Sequence, residues 1–105
     1  MTLRFSTDAL RLRLSAEEVR QLGAAGLVED EVAVVPGAAV RYAVRMADLD
    51  RLAVEMDGPS LTVLVPRDWV EGWVEGETVG FEGTQDAGDG RRLAITLERD
   101  LGCAH

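Results

Sequence analysis

Cys103 and His105 form the one cysteine–histidine pair in the chain. Both side chains ligate zinc or copper, so Cys103-x-His105 is the natural start of a metal site, although two ligands do not complete one. Cys103 as a nucleophile needs a neighbouring base and a lowered pKa, and the one histidine available stands two residues away at the end of the chain. Carboxylates are more plentiful. Glu29-Asp30-Glu31 run together, Glu71 and Glu75 lie one helical turn apart, and Asp86 and Asp89 share a glycine-containing loop. Such pairs do acid–base work or hold Ca²⁺. Solvated charge is the simpler reading of each, because the Asp86–Gly90 loop falls far short of the calcium-binding pattern. No Gly-Lys-Ser/Thr cradle and no Gly-x-Ser-x-Gly elbow occurs.

Two further sets of residues suit binding rather than catalysis. Trp69 and Trp73 are the largest apolar side chains, one turn apart, and are expected in the core. Left exposed, either would anchor a partner protein, since tryptophan is enriched at binding hot spots. Arg11, Arg13, Arg41 and Arg45 occupy the outer positions of two strands. If those strands are neighbours, the four make a basic, partner-binding stripe; cross-strand pairing with carboxylates is the competing outcome.

The element that positions most of these residues runs from Asp8 to Leu27. Leu10, Leu12 and Leu14 alternate with Arg11 and Arg13, a strand with one apolar face. At Ser15 the period changes. Ser15-Ala16-Glu17-Glu18 has the form of a capping box, flanked by Leu14 and Val19 at staple spacing, and Gly26 is placed to stop the helix. Upstream, Leu3 and Phe5 have the opposite parity, so residues 2–14 form one kinked strand or two short ones.

Downstream, the residues from Val32 to Val35 lead into Pro36-Gly37, a type II turn signal, and Val40, Tyr42, Val44 and Met46 return as an antiparallel hairpin partner. Ala47–Asp50 reads as a loop. Leu52, Val54 and Met56 make a strand, Asp57-Gly58-Pro59-Ser60 a turn, and Leu61–Val65 a strand apolar enough to be covered on both faces. Pro66 opens a short helix over Arg67–Glu75. Thr78–Gly83 and Leu93–Leu97 form a last hairpin. No internal repeat is visible. The order predicts one α+β domain over residues 1–105: a mainly antiparallel curled sheet, or partly open barrel, of about six to seven strands with two short helices.

Composition narrows the function classes. Nineteen acidic residues face eleven basic ones, all arginine, for a formal net charge of −8. That balance argues against nucleic acid and against an anionic membrane surface. No stretch approaches the ~20 apolar residues of a membrane span. With no secretion signal and one cysteine, a cytoplasmic location is expected.

Arg11-Leu12-Arg13-Leu14-Ser15 with Glu18-Val19, then Tyr42-Ala43-Val44, Val65-Pro66 leading to Trp73, Val79-Gly80-Phe81-Glu82, and Leu97 to Cys103 together resemble a family of small uncharacterised bacterial proteins, known only as a domain of unknown function. The likeness spans nearly the whole chain. Where that family has Glu-Lys-Asp-Phe before the cysteine, this chain has Glu98-Arg99-Asp100-Leu101. The resemblance implies a compact cytoplasmic domain and brings no activity, cofactor or catalytic residue. The first expectation is therefore a non-enzymatic binding or accessory module whose partner is a protein or a second copy of the chain. The second is a metal- or small-ligand-binding protein using Cys103 and His105, and the third an enzyme of unrecognised type. No cofactor is expected under the first.

Overall fold

In the computed structural model, which describes residues 1–76 and 78–100, eight strands and two helices follow one another as β1 (Thr2–Ser6), β2 (Ala9–Leu14), α1 (Ala16–Ala25), β3 (Leu27–Val35), β4 (Ala38–Ala47), β5 (Ala53–Asp57), β6 (Ser60–Pro66), α2 (Arg67–Glu75), β7 (Gly80–Gly88) and β8 (Arg91–Arg99). They build two four-stranded sheets, ordered β1-β2-β8-β7 and β3-β4-β6-β5. The α+β class is as expected. The expected single, mainly antiparallel curled sheet or partly open barrel of six to seven strands is inexact in part: there are eight strands, in two sheets that do not close into a barrel. Both sheets are mixed, because β2 pairs parallel with β8 and β4 parallel with β6. The two central pairings join segments remote in sequence, which local periodicity does not encode.

The local reading of residues 8–27 holds in detail. Residues 2–14 are two strands, with Thr7-Asp8 as the turn between them. The Ser15 hydroxyl accepts from the Glu18 amide at 3.1 Å, and the Glu18 carboxylate accepts from the Ser15 amide at 2.9 Å. Gly26 closes the helix in the left-handed conformation, its amide donating to the Leu22 carbonyl at 2.8 Å. Pro66 caps α2 without any side-chain bond.

The registers reveal an internal repeat that the residues do not advertise. In the β1–β2 hairpin Leu3 faces Leu12; in the β5–β6 hairpin Val54 faces Val63, both numbers 51 higher. In the β3–β4 hairpin Val28 faces Val44; in the β7–β8 hairpin Phe81 faces Leu97, both 53 higher. The bulges correspond too: Ala33 to Val35 in the first, Asp86 to Gly88 in the second. So do two isolated backbone bonds, Met46 to Gly26 at 3.0 Å matching Arg99 to Val79 at 2.7 Å. Each half of the chain is therefore strand–strand–helix–strand–strand. The halves interleave, since each sheet takes one hairpin from each half.

The core lies where these parts meet. Leu10, Leu12, Leu14, Val19 and Leu22 from the first half are buried together with their counterparts Leu61, Val63, Val65, Val70 and Trp73 from the second. Burying side chains of this size supplies roughly 1.5–3 kcal/mol each. The helices touch closely at Gly23, where a Cβ would lie 2.7 Å from the Val74 Cγ2 atom.

Candidate functional site

Phe81 joins the two tryptophans. Its ring centroid lies 5.1 Å from Trp69 and 5.2 Å from Trp73, the latter edge to face. Trp73 is fully buried and its indole N–H donates to the Val79 carbonyl at 3.4 Å. Trp69 is half-buried at the edge of the same cluster.

The four strand arginines do not share a surface. Arg11 and Arg13 stand on β2 in one sheet, and both guanidinium groups lie 3.6 Å from the Glu98 carboxylate on β8. Arg41 and Arg45 stand on β4 in the other. Arg41 pairs with Glu31 across the β3–β4 ladder at 3.1 Å, and Arg45 reaches Glu55 at 3.4 Å. All four thus meet carboxylates. Such half-exposed pairs are worth at most about 1 kcal/mol each. Cys103 and His105 lie outside the described residues. Among the described residues no group of three or more histidine, cysteine or carboxylate side chains is arranged to hold a metal.

Two titrating groups are shifted. Burial pushes the Glu18 carboxyl upward, but the Ser15 amide, the Met1 ammonium 3.0 Å away and the Ser15 hydroxyl outweigh it, so the group sits below the ordinary carboxylate range. Tyr42 is raised, first by burial and then by the charge of Asp30 opposite it on β3. The groups that shift Glu18 belong to the helix cap and the N-terminus, and the group that, after burial, shifts Tyr42 most is its cross-strand neighbour Asp30. One shallow depression, lined by Ala47–Asp50, Arg67 and Asp68, holds the exposed Arg67–Asp48 contact at 3.5 Å.

Four features were not singled out in the sequence. Arg99 spans the end of α2, donating to the carbonyls of Trp73 at 3.1 Å, Gly76 at 3.1 Å and Thr78 at 2.9 Å. Gln85 on β7 grips the outer edge of β5: its amide oxygen accepts from the Val54 N–H at 2.7 Å and its NH₂ donates to the Val54 carbonyl at 3.0 Å. Arg4 on β1 is exposed and makes no ion pair among the described residues. The fourth is an apolar arm. Beyond residue 31 the β3–β4 hairpin leaves the sheet with Val32, Val34, Val35 and Val40 exposed by 47, 60, 56 and 39%. A signal for the arm was present: Val34-Val35 and Ala38-Ala39-Val40 give the hairpin end no polar face, where an outer edge ordinarily alternates.

At the position of Gln85 in the first half stands Val32, the same offset of 53 residues. An alkyl side chain cannot donate or accept. The seam between β5 and β7 is tied by Gln85, and among the described residues no hydrogen bond ties β1 to β3. One seam is therefore open, and the two sheets do not close into a barrel.

A family model described as "Family of unknown function (DUF7009)" matches residues 1–105. No curated protein and no solved structure matches. No helix among the described residues is long and apolar enough to cross a membrane.

Proposed function

The chain belongs to this family of unknown function, and from that premise, which supplies no chemistry, we propose that it is a non-enzymatic protein-interaction module whose contact surface is the β3–β4 arm. The observation that carries this reading is the contiguous exposure of Val32, Val34, Val35 and Val40 on one hairpin. Clustered exposed apolar side chains on a soluble domain mark interaction sites more often than chance, and here they lie along an unpaired sheet edge that offers backbone bonds as well.

The test is capture from a lysate of the source organism with the wild-type chain and with a Val34→Asp/Val40→Asp variant. Both substitutions fall on exposed positions, so the fold is retained, as circular dichroism would show. The expected result is a stoichiometric protein, a second copy of the chain included, that the wild type retains and the variant loses. Identical capture by both, or none by either, overturns the reading.

A further inference from the structure

We propose that the open seam pairs with the same seam of a second copy, the β1 edge of each chain lying along the β3 edge of the other; this rests on the interaction reading above and names its partner. The starting point is the difference between the two halves. In the second half, Gln85 satisfies the outward N–H and C=O of Val54. Val54 corresponds to Leu3, with the same hairpin register and the same two-residue turn. In a hairpin closed by Ser6 opposite Ala9, the ladder alternates so that Leu3 and Phe5 point their N–H and C=O away from β2. The residue placed to meet them, Val32, offers nothing polar. What those groups need is another backbone.

The side chains specify which backbone. Leu3 and Phe5 share the inner face of β1, and Phe5 is 61% exposed; Val28 and Val32 share the inner face of β3. Arg4 is on the outer face of β1, and Glu29 and Glu31 on the outer face of β3. With the inner faces of the two edges on the same side, Phe5 meets the Val28, Asp30 and Val32 face of β3 and Arg4 meets the Glu29 and Glu31 face; a register with Phe5 beside Val32 is the one that buries apolar surface on both. Charge agrees. The β1 edge carries Arg4 and no acid, whereas β3 carries Glu29, Asp30 and Glu31 and no base. Arg4 and Glu29 make no ion pair among the described residues. Because one chain holds both complementary edges, a two-fold arrangement makes the contact twice.

Sedimentation velocity on the full chain, from micromolar to millimolar concentration, tests this. A dimer is expected. Phe5→Lys, which puts charge on the edge at a position whose N–H and C=O point away from β2, should weaken it about ten-fold or more. Arg4→Glu and Glu29→Arg should each weaken it, and the two together should restore it. A monomer at every concentration, or a dimer indifferent to Phe5→Lys and to the charge reversals, overturns the proposal. If the chain is monomeric but Val34→Asp/Val40→Asp abolishes capture of a different protein, self-pairing alone falls; if neither effect is seen, the interaction reading falls with it.

Discussion

Glu18 shows how one side chain ties three parts of the molecule together. Its carboxylate caps the Ser15 amide, accepts from the Met1 ammonium at 3.0 Å and stands at the positive end of α1. These contacts hold its folded pKa below the unfolded value. The contribution to stability is therefore full above the unfolded carboxyl pKa and is lost as pH falls through the folded one. We expect the urea midpoint of the wild type to fall more steeply on acidification than that of Glu18→Gln, the two curves converging at the acid end. Parallel curves would show that Glu18 is not coupled to folding. The cap was legible in the sequence because every atom in it lies within four residues. The Met1 contact was not, because it spans seventeen positions and depends on β1 lying beside β2. Arg99 was hidden for the same reason: its three acceptors come from the segment 73–78, more than twenty positions away.

At the level of strands and helices, alternation revealed which faces are apolar and did not reveal which strands are neighbours. Leu10-Leu12-Leu14 turn inward as their alternation implies, and Leu61–Val65, expected to be covered on both faces, alternates buried with half-buried positions; the parallel partners of both strands, on β8 and β4, are not their hairpin neighbours. The repeat escaped notice because the halves share pattern and not identity: Val19 and Val70 correspond as valines, but Leu22 corresponds to Trp73 and Val32 to Gln85. That last exchange decides which seam is tied. Gln85→Ala should cost about 1–3 kcal/mol, the net worth of two hydrogen bonds, and should speed amide exchange at Val54 above that at its ladder neighbours. Unchanged exchange at Val54 would mean that the Gln85 bonds do not persist in solution. The arginine stripe expected from Arg11, Arg13, Arg41 and Arg45 dissolved at this same level, since β2 and β4 belong to different sheets.

For the molecule as a whole, interleaving predicts cooperativity. Neither half owns a sheet, so neither can bury its leucines and valines alone, and local loss of one hairpin strips a face from the other half. Unfolding should be a single transition in which tryptophan emission, reporting residues 69 and 73, coincides with far-ultraviolet dichroism, reporting the backbone. Separated midpoints would contradict this. Trp73→Ala should lower stability by about 3–5 kcal/mol, a large share of the 5–15 kcal/mol ordinarily available to a domain, and should shift both probes together.

The parallel pairing of β2 with β8 also sets an order in time. A ribosome releases β1, β2 and α1 first, but β2 cannot acquire its inner neighbour until residues 94–99 have left the exit tunnel. The second sheet, complete once residue 66 has emerged, can form while the first still waits as a lone hairpin, and a lone hairpin is marginal in water. During that interval Leu10, Leu12 and Leu14 are synthesised but uncovered, and a chaperone that holds early apolar strands would meet this protein at its first hairpin.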